Sequence, residues 1–315
     1  MEKIIELIKN SKSAVILPHI SADGDAIGSC QAMRCMLNNM GISAQIIAEE
    51  KVEDRLYFIG DGIEVYDGDI PEFDTCLILD CGDMTRIGKR VEIADKAKNI
   101  INIDHHRTNT GFGEASLVMP DASATGEVLF DLFKAMNVTF TRDIAGYLYT
   151  AICSDTGGFA YSSVSPHTFR IAAELVEHNI SHHEIARLLF NCVDMSEELM
   201  KAELTKNIHS FCDDRVRTVV ISRAFADGFN LDTKDIDGVV ELPRRIRGTE
   251  IAIAIKELED KIRISLRSNG DADVSEVALE FNGGGHIKAA GCSIEGVSVT
   301  EAEQMIVSAC EKVLN

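Results

Sequence analysis

The sequence predicts an α/β fold: a parallel-sheet N-terminal domain with helices on both faces, followed by a smaller α/β C-terminal domain. Three observations lead to this prediction. Short apolar runs alternate with helix-like segments in the first part of the 315-residue chain, as in parallel sheets whose strands are joined by helices. Most of these runs end in polar clusters, which is where such sheets carry their sites. Near residue 210 the pattern changes to longer strand-like runs.

The predicted elements follow in chain order. Residues 1–10 have the spacing of an amphipathic helix. Buried strands are predicted at residues 13–18, 42–48, 75–79 and 99–103, with a helix at 25–40 after the first strand. Helices dominate residues 123–204. The last part contains predicted strands at 216–222, 250–256 and 261–267, a glycine run at 283–285 and a helix at 299–313.

The composition argues against two classes of protein. A net charge of −20 repels a nucleic-acid backbone at long range, so we expect no binding to long duplex nucleic acid. No apolar run approaches the ~20 residues of a membrane span, so no membrane association is expected. The N-terminus lacks the pattern of a signal peptide, and the nine cysteines include no Cys-x-x-Cys pair. We therefore predict a cytoplasmic protein with reduced cysteines.

Candidate site residues follow the predicted strands. His19, Asp23 and Asp25 come after the first strand, and Gly24 lets the backbone turn so that both carboxylates can converge on one point. The other candidates are Asp80, Asp104, His105, His106 and Asp155. Adjacent side chains at a strand end point to opposite sides, so the two histidines should have different roles.

These residues form a donor set for divalent metal ions. Clustered carboxylates repel one another unless cations neutralise them, and two divalent ions would balance the charge. A mixture of oxygen and imidazole ligands favours Mn²⁺ or Co²⁺ over Ca²⁺, and the absence of thiolates argues against structural zinc; Mg²⁺ is also possible. Each residue also has a simpler interpretation: a helix cap for Asp23 or Asp25, a turn for Asp80, a helix-terminal acid for Asp155 and a solvated loop for the histidines. The repeated placement at strand ends favours the metal site.

With these motifs, the chain resembles the DHH phosphoesterases, and most closely the branch with a DHH-associated C-terminal domain that includes bacterial nanoRNases and 3′-phosphoadenosine 5′-phosphate (pAp) phosphatases. The resemblance runs nearly end to end. It rests on His19-x3-Asp23-Gly24-Asp25-Ala26-Ile27-Gly28-Ser29, Asp80 with Arg86-Ile87-Gly88, Asp104-His105-His106-x2-Asn109, Ser154-Asp155-Thr156-Gly157 and Gly283-Gly284-Gly285-His286-x2-Ala289-Ala290-Gly291. Together with the change of pattern, it predicts a catalytic metal-binding domain at residues 1–190, a helical connector at 191–212 and a substrate-binding domain at 213–315.

The resemblance also implies a role for each candidate. His19 and Asp23 would bind one Mn²⁺, with Asp25, His105 and Asp155 on the other and Asp80 bridging both. His106 would contact the scissile phosphate, and Asp104 would support the catalytic site. The substrate's other phosphate or its terminus would be held by Arg267, Ser268, Gly284, Gly285 and His286. Without the resemblance, the glycine run also fits a plain turn. Arg107 stands where the family often has proline, so it is a candidate phosphate contact.

The implied activity is Mn²⁺-dependent hydrolysis of short oligoribonucleotides to nucleoside 5′-monophosphates, and of pAp to AMP. One alternative is a phosphodiesterase of cyclic or linear dinucleotides from the same family. Another is an inactive nucleotide-binding regulatory module, which the presence of every presumed ligand argues against. The basic cluster Arg244-Arg245-Arg247 fits either a phosphate-binding groove or a solvated loop, and a homodimer is a possible assembly.

Overall fold

The computed structural model describes residues 1–236 and 238–314. It divides into two compact units, Met1–Cys192 and Val193–Asn315, and each is built around its own six-stranded sheet. The predicted fold class is confirmed, because the first sheet is parallel and a second, mixed sheet follows it. Over the described residues, no helix has both the length and the hydrophobicity needed to cross a membrane.

The first unit alternates strands and helices. Its strands are β1 (Ser13–Leu17), β2 (Ser43–Ala48), β3 (Ile63–Val65), β4 (Thr75–Leu79), β5 (Asn99–Asp104) and β6 (Ala115–Val118). Its helices are α1 (Glu2–Asn10), α2 (Gly24–Asn39), α3 (Val91–Ala94), α4 (Thr125–Ala135), α5 (Arg142–Asp155), α6 (Pro166–Val176) and α7 (His182–Phe190). Two 3₁₀ segments cover Asp54–Ile59 and Met84–Arg90.

The strands of this unit lie in the order β3-β2-β1-β4-β5-β6, and every neighbouring pair is parallel. The chain order reverses between β1 and β4, so the carboxyl ends of these strands form the switch point where parallel sheets bind ligands. Alternate residues pack on opposite faces. Ile16 joins a core with α2 and α5, whereas Val15 joins a core with Met84–Arg90 and α3. Helical segments therefore cover both faces, as predicted.

Helices α2 and α5 cross at short range because α2 has a glycine at the crossing. A Cβ atom on Gly28 would lie 2.7 Å from the carbonyl oxygen of Tyr147 and 3.1 Å from the Cβ of Ala151. Gly24, in the first turn of α2, packs in the same way on Ser154 in the last turn of α5. This crossing brings the start of α2 beside the end of α5.

The second unit combines helices with a mixed sheet. Its helices are α8 (Met195–Lys206), α9 (Arg223–Gly228), α10 (Glu241–Arg244), α11 (Val274–Leu279) and α12 (Val299–Val313), and Thr233–Asp235 is a 3₁₀ segment. Its strands are β7 (His209–Phe211), β8 (Val216–Ile221), β9 (Ile251–Glu257), β10 (Ile262–Ser268), β11 (Gly284–His286) and β12 (Ala289–Ile294). They lie in the order β11-β12-β10-β9-β8-β7, with β8 and β9 parallel and the other pairs antiparallel. Helices α11 and α12 cover one face, and α8 and α10 belong to a separate core.

The structure contains elements that the sequence did not predict. Strands β3 and β6 are three and four residues long, too short for a clear periodic pattern. The glycine run forms the edge strand β11 instead of an open loop, with Gly284 opposite Gly291 and Gly285 opposite Ala290. Glycine is depleted in strands, which hides this one. The stretch predicted as a helical connector, residues 191–212, contains the helix α8 and also β7, a strand that was not predicted.

We predict that Gly28→Ala lowers the free energy of unfolding by about 1–3 kcal/mol, because the new methyl group would meet backbone atoms that cannot easily move. The matched control is Gly146→Ala inside α5, where the nearest heavy atom to a new Cβ is 3.9 Å away. This control should be neutral or stabilising by up to about 1 kcal/mol, since alanine has the higher helix propensity. Urea unfolding of both variants measures the difference. Equal stabilities would contradict the tight crossing of α2 and α5.

Candidate metal centre

Three neighbouring strands deliver polar side chains to one edge of the first sheet. His19 follows β1, Asp80 follows β4, and Asp104 ends β5 with His105 directly behind it. Asp80 has a φ of 56°, a left-handed conformation that costs energy in a non-glycine residue and is concentrated at functional sites. His19, Asp80 and Asp104 are all buried, so each needs polar partners.

The two aspartates of the loop after β1 make different contacts. Asp23 caps α2, because one of its carboxylate oxygens accepts hydrogen bonds from the backbone N–H groups of Asp25 and Ala26 at 3.0 and 3.1 Å. The cap interpretation therefore holds for Asp23 and not for Asp25. Asp25 is buried and accepts hydrogen bonds from the N–H groups of Thr125 and Gly126, at 2.6 and 3.0 Å, where α4 begins.

Three groups of candidate ligand atoms meet at this edge, and within each group the atoms lie within 4.8 Å of one another. The first is His19, Asp23 and Asp80, the second is Asp25, His105 and Asp155, and the third, which shares members with the other two, is Asp80, His105 and His106. Asp80 also lies next to the second group. Its Oδ2 is 3.6 Å from Nε2 of His19, and its Oδ1 is 3.7 Å from Nε2 of His105. The two oxygens of one carboxylate thus face different groups.

Backbone carbonyls set the orientation of both imidazoles. Nδ1 of His19 lies 2.6 Å from the carbonyl oxygen of Ile20, and Nδ1 of His105 lies 3.2 Å from that of Ala122. A carbonyl oxygen can only accept, so each Nδ1 carries a proton and each Nε2 faces the carboxylates, where it can bind a cation once it holds no proton of its own. A backbone contact of this kind is typical of histidines that bind metals.

Two acidic groups of the centre, Asp25 and Asp155, bind protons more readily than an ordinary carboxylate. Burial raises the pKa of Asp25 well above its ordinary value, and Asp80 and Asp155 raise it further. Burial also raises the pKa of Asp155 to about 6, which His105 opposes and Asp80 reinforces. For Asp80 burial acts in the same direction, but the nearby imidazoles of His19 and His105 outweigh it and hold the pKa below its ordinary value. The donor set is therefore short of positive charge, which fits a divalent cation.

His106 differs from its neighbour His105. Its Nδ1 lies 2.7 Å from a carboxylate oxygen of Asp104, whose other oxygen accepts a hydrogen bond from Asn109. The bond to Asp104 raises the pKa of His106 to about 9, so the imidazole is protonated at neutral pH. Its side chain is 42% exposed. A cation that reaches solvent at the edge of the centre suits contact with a phosphate.

Thr125 was not predicted from the sequence as a residue of the site. Its hydroxyl donates to Oδ1 of Asp80 at 2.8 Å, while its N–H donates to Asp25, so it holds both carboxylates. The available signal was a polar stretch before an apolar helix, because helix N-termini attract anions. Nothing local indicates that this terminus meets an aspartate 100 residues earlier in the chain.

A cavity of about 420 Å³ adjoins the centre, and His105, His106, Arg107 and Asp155 line it. Arg107 therefore lies in the same cavity wall as His106, as a phosphate contact requires. Its guanidinium is 3.0 Å from Asp121, and both side chains are highly exposed. Exposed pairs of this kind are weak, so an anionic ligand can compete with Asp121 for Arg107.

The second unit contains a separate cavity of about 850 Å³, lined by Arg267, Gly284 and their neighbours. Gly285, His286 and Ser268 lie outside its wall as the described residues define it. His286 is exposed on β11, and the buried hydroxyl of Ser268 donates to the carbonyl oxygen of Gly270. The structure thus brings together only part of the predicted substrate set.

The basic cluster at residues 244–247 is partly engaged within its own unit. Arg244 forms an ion pair with Glu241 at 3.0 Å and donates to the side chain of Asn269. These contacts fit a surface loop as well as a groove.

Known proteins match this chain in both units. Residues 13–152 match the N-terminal domain of the DHH family, and residues 216–315 match the DHHA1 domain. The whole chain is 29% identical to the bifunctional oligoribonuclease and PAP phosphatase NrnA of Thermus thermophilus, over 94% of that protein. It is 25% identical to NrnA of Bacillus subtilis, over 96% of each chain. Among solved structures, an exopolyphosphatase-related protein from Bacteroides fragilis has a TM-score of 0.89 at 27% identity, covering 99% of this chain and 95% of that one.

We predict that the affinity for a divalent ion falls as the pH drops below about 6. Asp155, with a pKa of about 6, then takes up a proton that the ion must displace. The raised pKa of Asp25 adds to this competition between protons and the ion. Above that pH Asp155 is ionised and no longer limits binding. Calorimetric titration with Mn²⁺ at about pH 5.5 and about pH 8, in two buffers of different ionisation enthalpy, measures the affinity and the protons released. A constant affinity without proton release at the lower pH would contradict the prediction.

Proposed function

The chain belongs to the DHH family and is a phosphoester hydrolase, and we propose that it degrades short oligoribonucleotides to nucleoside 5′-monophosphates and dephosphorylates pAp to AMP. The observation that carries this proposal is that the two oxygens of Asp80 face separate donor groups, as a centre for two metal ions requires. Relatives named for both activities match the chain across both units, which supports the choice of substrates.

The metal ions in this proposal are two Mn²⁺. His19 and Asp23 would hold one ion. The group of Asp25, His105 and Asp155 would hold the other ion, and Asp80 would contact both ions. The mixed oxygen and nitrogen donors and the Nε2 lone pairs of both imidazoles support this assignment. When bound, the ions would neutralise the carboxylates, polarise the phosphoryl oxygens and lower the pKa of the attacking water.

The chain's own residues would complete the reaction around the phosphate. His106 carries a proton at neutral pH and donates a charge-assisted hydrogen bond to a phosphoryl oxygen, which stabilises the negative charge that develops there. Asp104 holds the ring of His106 in place and is itself held by Asn109. Arg107 would contact a phosphate in the adjoining cavity after release from Asp121.

The C-terminal unit would hold another anionic group of the substrate. Arg267 and Gly284 line its large cavity, where a guanidinium and glycine N–H groups can bind a phosphate or a chain terminus. Ser268, Gly285 and His286 stay candidates for the same role on the adjoining strands β10 and β11.

A substrate panel tests the proposed function. Purified protein loaded with Mn²⁺ should release nucleoside 5′-monophosphates from di- to pentaribonucleotides, and phosphate from pAp. A strong preference for cyclic dinucleotides would replace these substrates with the other activity of the family. A fully metal-loaded protein that hydrolyses none of them would contradict catalysis and favour a regulatory module.

For the C-terminal unit, we predict that Arg267→Ala lowers kcat/KM on a 5′-phosphorylated diribonucleotide about ten- to a hundredfold, the effect of one lost charge-assisted hydrogen bond. Bound Mn²⁺ should not change. The small diester bis-p-nitrophenyl phosphate should be hydrolysed almost normally, because it has no second anionic group. Arg223→Ala removes an equally charged, exposed side chain from the same unit and should have little effect. An equal loss on both substrates would place Arg267 in the metal chemistry and contradict this role.

A further inference from the structure

The Arg86-Ile87-Gly88 segment has no role in the function described so far. It lies within the 3₁₀ segment Met84–Arg90, which follows Asp80. Nη2 of Arg86 is 3.2 Å from Nδ1 of His19. That nitrogen already donates to the carbonyl oxygen of Ile20, so both atoms are donors and the contact does not satisfy the guanidinium. The positively charged Arg86 therefore lies beside the metal centre, and the imidazole of His19 that it contacts does not accept a hydrogen bond from it.

The surroundings of Arg86 leave its charge available. Its side chain is exposed, and within the described part of the chain no salt bridge joins it to a carboxylate, although its charge helps to lower the pKa of the exposed Asp83. Other arginines near the site are paired: Arg107 with Asp121 and Arg90 with Glu49. In a chain with a net charge of −20, an unpaired arginine beside a cluster of acids is suited to bind an incoming anion.

The backbone around Arg86 is held from two sides. Its carbonyl oxygen accepts a hydrogen bond from the N–H of Ile20 at 2.7 Å, which ties the segment to the loop of His19. On the other side Gly88 has a φ of 62°, and a Cβ there would lie 2.8 Å from the carboxyl carbon of Glu49. Glycine is thus required for the turn, and the guanidinium of Arg86 starts from an ordered backbone.

The buried Arg90 completes this support. Its Nη1 donates to the carbonyl oxygen of Ile47 at the end of β2, and its Nε lies 3.3 Å from a carboxylate oxygen of Glu49. Ile87 is also fully buried, against the second face of the sheet. The three residues of the motif therefore have different roles. Ile87 anchors the segment in the core, Gly88 allows the backbone to turn, and Arg86 faces the metal centre.

We propose that Arg86 is a phosphate-binding residue that donates hydrogen bonds to a non-bridging phosphate oxygen of the substrate beside His19. The inference rests on the proposed function, because it needs a phosphate ester at the metal centre. The contribution of the guanidinium is positive charge and geometry. A planar guanidinium can also give two parallel hydrogen bonds to one phosphate.

The test measures binding of AMP and of adenosine to the Mn²⁺-loaded full chain. Arg86→Ala should weaken AMP binding about ten- to a hundredfold and leave adenosine binding and Mn²⁺ content unchanged. Arg86→Lys should recover part of the loss, since it keeps the charge and loses the planar fork. Lys89→Ala, which removes one exposed positive charge from the same 3₁₀ segment, is the matched control and should stay within about twofold of the wild type.

Several outcomes would overturn the inference. If Arg86→Ala lost as much Mn²⁺ as His19→Ala, the role of Arg86 would be only to hold His19 in position. If Arg86→Ala bound AMP as tightly as Lys89→Ala does, Arg86 would contribute no more than any exposed positive charge. Hydrolysis of the substrate panel by the wild type separates the two proposals. An active wild type with normal AMP binding by Arg86→Ala overturns this inference alone, whereas an inactive wild type overturns the proposed function and this inference with it.

Discussion

Repulsion between buried carboxylates is the constraint on which the rest of the site depends. Asp25 and Asp80 are 1% and 3% exposed, and Asp155 lies in the same cluster. Uncompensated charges in such an environment are costly, so the fold must supply positive partners. The N–H groups at the start of α4 and the imidazoles of His19 and His105 compensate part of the negative charge, yet the pKa of Asp25 stays raised. In the proposed function divalent cations would compensate the rest, which would couple metal binding to the stability of the first unit.

Imidazole and guanidinium groups surround this acidic centre, at positions that depend on what each group would bind. The imidazoles that face the carboxylates donate their Nδ1 protons to backbone carbonyls, which leaves Nε2 of each ring directed at the proposed metal positions. The protonated His106 and the guanidinium of Arg86 lie at the rim, where an anionic substrate would arrive. In the proposed function, this arrangement would let a strongly acidic protein hold metal ions inside and attract a phosphate at the edge.

The sequence predicted those parts of the structure that local patterns determine. Strands β1, β4 and β5 are apolar runs followed by polar residues, and α12 occupies the predicted residues 299–313. Strands β3 and β11 escaped prediction because one has three residues and the other consists mainly of glycine. The contacts of Thr125 with Asp25 and Asp80, and of Arg86 with His19, join distant parts of the chain, so only the packed structure reveals them. The different orientation of the two oxygens of Asp80 is likewise a property of the packed strands.

Asp80 is expected to serve two metal ions at once, and anomalous diffraction at the manganese edge tests this most directly. Crystals of the wild type soaked in Mn²⁺ should show two anomalous peaks in the first unit, one beside His19 and one beside His105, with a carboxylate oxygen of Asp80 at each. Crystals of Asp80→Asn, which keeps the shape of the side chain and removes its charge, should lose most of the signal at both positions. A single peak in the wild type, or two full peaks in the variant, would contradict a shared Asp80.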